Sequence, residues 1–115
     1  MTIPKKFHLY GQAIEVKATH SLAERDQALG MTCFDRNVIR LSTTSNGLPI
    51  DLRLAEETFL HEMTHMILQK MNHKLTHDEQ FVDHFACLLH QALNSFEGQL
   101  EMDTYLSPEQ IEDLR

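Results

Sequence analysis

The chain has 115 residues, with 10 Lys and Arg against 17 Asp and Glu, a formal net charge of −7 when histidine is neutral. That length suits a single domain, 1–115, with a modest core, and the acidity weighs against nucleic acid or an anionic membrane as partner. No apolar stretch reaches spanning length, no small-residue cleavage site follows the first lysines, and Cys33 and Cys87 lack a paired-ligand spacing, so both read as free thiols of a cytoplasmic protein.

Residues 1–50 carry strand signals. "FHLYG" and "AIEVKAT" alternate apolar and polar residues around Gly11, which predicts two short strands joined by a tight connection. "HSLAERDQALG" reads as a short helix or an irregular crossing that ends at Gly30. "MTCF" and "VIRLS" flank the Asp/Asn turn "DRN" and predict a hairpin, after which "TTSNGLP" reads as a loop.

Between 51 and 97 the apolar spacing changes from two to three and four, the period of a helix. A first helix should start at an Asp51 N-cap and run through "LRLAEETFLHEMTHMILQKM" to Asn72. After "HKLTH" a second is expected from Asp78 to Ser95, with Phe81, Phe85, Leu88, Leu89, Ala92 and Leu93 as its inner stripe. In the tail, 98–115, Ser107, Pro108 and Gln110 carry the N-cap, N1 and N3 signals of a short terminal helix. Strands followed by helices predict an α+β domain: a small antiparallel or mixed sheet, two antiparallel helices and a short C-terminal helix.

The chemistry concentrates in "HEMTH". His61 and His65 lie one helical turn apart, so both imidazoles leave the same face and can hold one ion. Glu62, about 100° further round the helix, lies beside the pair, where it can reach a water on the ion without binding the ion. The flanking Phe59, Leu60, Met66 and Ile67 are those of a partly buried helix. A catalytic zinc takes three protein ligands and leaves a position for water. An antiparallel return brings "THDEQFVDH" beside the motif. There Glu79 is a candidate third ligand, and Asp83, four residues on, a candidate acceptor for the free ring N–H of a ligating histidine. Glu79 also fits a T-x-x-E capping box with Thr76, in which case Asp83 or His84 would be the third ligand.

The pattern resembles that of the gluzincin metallopeptidases, HExxH followed on a later helix by E-x-x-x-D, here His61, Glu62, His65, Glu79 and Asp83. It is most similar to the small ImmA/IrrE-type and short phage- and prophage-encoded members. Those proteins usually place a Glu four residues before the Phe of a Phe-Ala pair, a place taken by Phe81 here. The resemblance implies a minimal zincin-like fold with a small sheet before the two motif helices, and an intracellular peptidase acting on a regulatory protein such as a transcriptional repressor.

Two imidazoles and a carboxylate suit one Zn2+ per chain. The expected reaction is peptide-bond hydrolysis on a peptide or protein substrate, with Glu62 as general base and then acid. "VIRLS" is a candidate sheet edge for pairing an extended substrate. Tyr105 and His84 are candidate donors to the oxyanion. The alternatives are a zinc-stabilised binding module with Glu62 idle, and an acidic regulatory protein without metal chemistry. Among the remaining residues, His73 and His77 read as exposed, His90 as part of the site's rim, Cys87 as an inert buried thiol, and Met63, Met66 and Met71 as core.

Overall fold

The computed structural model describes residues 1–102 and 107–115. Strands β1 (Lys6–Leu9) and β2 (Gln12–Thr19) form a hairpin in which Leu9 faces Gln12. Both loop residues, Tyr10 and Gly11, have positive φ (50° and 74°), the twist that a two-residue hairpin needs. A short helix α1 (Leu22–Asp26) then leads to β3 (Gly30–Cys33). A 3-10 turn, Phe34–Arg36, closed by the left-handed Asn37, turns the chain into β4 (Val38–Ser42).

The sheet order is β1-β2-β4-β3, with β2 and β4 parallel and the other pairs antiparallel. The sheet is therefore mixed, and "VIRLS" is not an edge as expected. As β4 it is paired on both sides, and β1 and β3 are the edges. "TTSNGLP" is also more than a loop: β5 (Thr44–Ser45) and β6 (Leu48–Pro49) pair across Asn46 and Gly47, again both at positive φ. Glu24 of α1 binds this small hairpin, accepting from the Gly47 N–H at 2.8 Å and the Thr44 hydroxyl at 2.9 Å. The Gly47 bond is the main reason its carboxyl titrates below the usual range.

Helix α2 (Leu52–Lys70) lies across one sheet face. Asp51 holds the N-cap backbone position, although its side chain makes no capping bond. Ile14, Ile39 and Leu41 from the sheet meet Phe59, Leu60 and Met66 of α2, with Ala86 closing the cluster. Each large aliphatic or aromatic side chain so buried contributes about 1.5–3 kcal/mol of transfer free energy. Phe7 adds an edge-to-face contact with Phe59 at 5.9 Å.

At the end of α2, Asn72 turns left-handed (φ 52°). The Asn72 N–H bonds the Gln69 carbonyl and the His73 N–H that of Leu68, both at 2.9 Å. This Schellman arrangement satisfies the last carbonyls and reverses the chain. Helix α3 (Glu79–Asn94) returns against α2, capped by Asp78, whose carboxylate accepts from the Phe81 N–H at 3.0 Å. The T-x-x-E capping box is thus not formed, because the cap is Asp78 and Glu79 is the first helical residue.

The inner stripe of α3 also differs from expectation. Val82, Ala86 and His90 are buried and Leu89 and Leu93 partly so, whereas Phe81, Phe85, Leu88 and Ala92 face outward. The side that meets α2 carries Val82, Ala86 and His90, with Glu79 and Asp83 at its border, and this leaves the two phenylalanines outside. Likewise Met66 is fully buried and Met63 partly, but Met71 lies beyond the end of α2 and is exposed. Helix α4 (Pro108–Asp113) begins with both bonds of a Ser107–Gln110 capping box. The architecture is α+β, a small mixed sheet followed by helices. Among the described residues no helix is long and apolar enough to cross a membrane.

Candidate metal centre

His61 and His65 project from the middle of α2 with ring centroids 4.9 Å apart. His65 is buried and His61 half-buried. From α3, Glu79 sets one carboxylate oxygen 3.1 Å from His61 Nε2 and the other 3.2 Å from His65 Nε2. One potential ligand atom from each of the three residues lies within 4.8 Å of the others. Zinc bonds of about 2.0–2.1 Å to nitrogen and oxygen, set tetrahedrally, place neighbouring ligand atoms roughly 3.3 Å apart, and each Glu79 oxygen lies near that distance from one of the two imidazole nitrogens.

The second nitrogen of each ring supports the fit. His65 Nδ1 lies 2.6 Å from the backbone carbonyl of Thr76, which can only accept, so Nδ1 carries the proton. Nε2 is then the ring atom turned to the Glu79 carboxylate, 3.2 Å away, the position from which it could ligate an ion. His61 Nδ1 faces Asp83 Oδ1 at 3.5 Å, which likewise leaves Nε2 for an ion. The donor set of two imidazoles and a carboxylate, on two helices, fits zinc.

Glu62 is buried (8% exposed) and stands beside the pair, its Oε2 3.9 Å from His61 Nε2. Its Oε1 accepts from the hydroxyl of Thr32 on β3 at 2.8 Å. The strand comes this close because residue 30 is glycine. A Cβ there would lie 2.7 Å from Thr58 Cγ2 and 2.8 Å from Glu62 Cγ. The Glu79 side chain is 70% exposed, and with Asp83 it borders an open cleft of about 440 Å³ whose other walls include Leu29, Gly30, Leu54, Glu57 and Thr58.

The structure thus brings His61, Glu62, His65, Glu79 and Asp83 to one place. His84 is exposed and outside this group, since five helical steps from Glu79 turn it about 140° away. Tyr105 lies outside the described residues. His73 is half-buried and structural, its Nδ1 accepting from the Leu75 N–H, while His77 is exposed against Phe34. Cys87 is exposed rather than buried, and both cysteines are free thiols.

His90 is not at the rim. It is buried between the helices, with Nε2 2.9 Å from Glu56 Oε1 and Nδ1 3.5 Å from Glu57 Oε1. The His90 bond holds the Glu56 carboxyl below its usual range, aided by the N-terminal ammonium 3.6 Å away and opposed by desolvation.

Thr32, Gly30 and the Thr76 carbonyl were not singled out by sequence patterns. Gly30 carried a usable signal, because a glycine inside a strand marks close approach of another element. Thr32 carried none beyond a hydroxyl in a short strand. No protein-family model, curated protein or solved structure matches the chain.

Proposed function

We propose that the protein is a zinc-dependent metallopeptidase with His61, His65 and Glu79 as ligands and Glu62 as general base. The observation that carries this reading is the meeting of three ligand atoms within 4.8 Å beside a buried carboxylate whose Oε2 is 3.9 Å from His61 Nε2. When bound, zinc supplies Lewis acidity, making a water easier to deprotonate and stabilising negative charge on the attacked carbonyl. Glu62 Oε2 accepts a proton from the attacking water and returns it to the departing amine, as one acid/base group can do in both directions. Thr76 and Asp83 hold the imidazoles in the tautomer that leaves Nε2 free.

The edge strand β3 borders the cleft through Gly30 and offers free backbone groups to an extended peptide. The substrate strand is therefore assigned to β3 in place of β4. The gluzincin resemblance favours a protein substrate, with a transcriptional regulator as the target class, and the free thiols suit a reducing compartment. The open cleft, with three candidate ligands rather than four among the described residues, favours catalysis over a purely structural zinc.

The test is zinc content by mass spectrometry, together with cleavage of a pool of internally quenched decapeptides by wild type and Glu62→Gln. About one zinc in both proteins, with cleavage by wild type alone, is the expected result. A wild type that binds no zinc after zinc is added overturns the metal centre. A zinc-loaded wild type that cleaves nothing overturns the peptidase.

A further inference from the structure

We infer that Thr32 is the positioning residue for Glu62, holding one carboxylate oxygen so that the other faces the reacting water. This inference rests on the peptidase reading for its functional meaning, but the contact itself can be tested without it. In the β3–β4 register Gly30 is opposite Leu41 and Thr32 opposite Ile39, and both partners are buried in the core. Residues directly opposite in a sheet share a face, so Gly30 and Thr32 both turn towards α2. Most of the side chains that this face buries are aliphatic, and valine would match the shape of Thr32. Its hydroxyl has a specific partner instead, Glu62 Oε1 at 2.8 Å.

The same hydroxyl lies 3.2 Å from the Glu62 backbone carbonyl, but it has one proton, and the shorter bond, to the side-chain oxygen, is the better one. Without this bond the terminal torsion of a glutamate is a broad, two-fold rotor. With it, Oε1 is engaged and Oε2 is left on the His61 side, 3.9 Å from Nε2. Gly30 supplies the matching space, since a Cβ there would press on Glu62 Cγ at 2.8 Å and Cδ at 3.3 Å. Two alternate residues of one edge strand therefore set the base: Gly30 admits it and Thr32 fixes its rotation. Thr32 touches no reacting atom in this scheme and acts only through Glu62.

The experiment compares wild type, Thr32→Val, Thr32→Ser and Thr32→Ala, all zinc-loaded, on the best-cleaved member of the decapeptide pool. It adds the melting temperatures of Thr32→Val, Glu62→Met, which has no oxygen to accept the bond, and the double variant without zinc. Thr32→Val should keep its zinc and its KM within about two-fold while kcat falls about 10- to 100-fold, and Thr32→Ser should restore most of it. The two melting-temperature losses should be non-additive, because both single changes break the same bond. Should Thr32→Val not fold, Thr32→Ala against Thr32→Ser carries the same comparison. An unchanged kcat, a serine variant no better than alanine, or additive melting losses would overturn the positioning role and leave the peptidase standing. A wild type that cleaves no peptide overturns the peptidase, and the melting cycle still decides whether Thr32 holds Glu62.

Discussion

His65 on α2 donates its Nδ1 proton to the backbone carbonyl of Thr76 at 2.6 Å, just before α3 begins. A single bond thus orients the imidazole and ties it to the turn that delivers Glu79. Thr76 is buried, and its own hydroxyl donates to the His73 carbonyl at 2.6 Å, so the acceptor is rigid. Orientation of one candidate ligand and arrival of the next depend on the same eight-residue connection, 71–78.

Glu79 makes its close contacts with the two imidazoles and does not cap its helix. If the proposed zinc is held here, replacing Glu79 with alanine should remove most of it and leave the fold intact, because its side chain is largely exposed. Metal content and circular dichroism of Glu79→Ala beside wild type check this. Full zinc retention would show that the third ligand is another residue.

Asp83 Oδ1 lies 3.5 Å from His61 Nδ1 and is otherwise open to solvent. Asp83→Asn should weaken zinc affinity about 10- to 100-fold if the carboxylate orients the ring, and leave it unchanged if the charge is only solvated. A competition titration against a zinc chelator measures the difference.

Gly30→Ala places a methyl group 2.7 Å from Thr58 Cγ2 and 2.8 Å from Glu62 Cγ. The strand or the helix must give way, at a cost of about 1–3 kcal/mol. Denaturant unfolding should show that loss, and under the peptidase proposal hydrolysis should fall further than zinc content, because the displaced group is the proposed base. Unaltered stability would mean that β3 moves freely.

Glu56 titrates below the usual carboxylate range because His90 donates to it. As pH falls, the unfolded chain takes up this proton first. The stabilisation is therefore complete above the ordinary carboxylate pKa and is lost as pH falls through the folded value. Glu56→Gln should flatten the acid side of the stability profile, read as urea midpoint against pH. Glu24, lowered chiefly by the Gly47 N–H, contributes with the same sign, so the slope should weaken again in the double variant. A profile unaffected by Glu56→Gln would deny the coupling.

Much of this molecule was legible in its residue order. The strand pair around Gly11, the hairpin around "DRN", the two long helices and the Ser107 cap all follow from short-range periodicity and turn chemistry, and all are present. The placement of His61 and His65 on one face needed only a helix. The faces of α3 were misread because Phe81, Phe85 and Leu88 look like a core stripe when hydrophobicity alone is weighed. The structure instead buries Val82, Ala86 and His90 and sets the exposed Glu79 and Asp83 beside partners on α2. Glu56, an ordinary acidic residue on a helix, gave no sign that a buried histidine 34 positions away would meet it.

By itself the sequence determined the α+β order of elements and the His61, Glu62, His65 constellation, because both depend on residues a turn or less apart. Only the tertiary structure decided that β4 is interior and β3 an edge, that Glu79 is free to face the histidines, and that Gly30 and Thr32 lie against Glu62. Those outcomes turn on strand order and helix rotation. Both are set by packing between segments far apart in the chain, which no local pattern records.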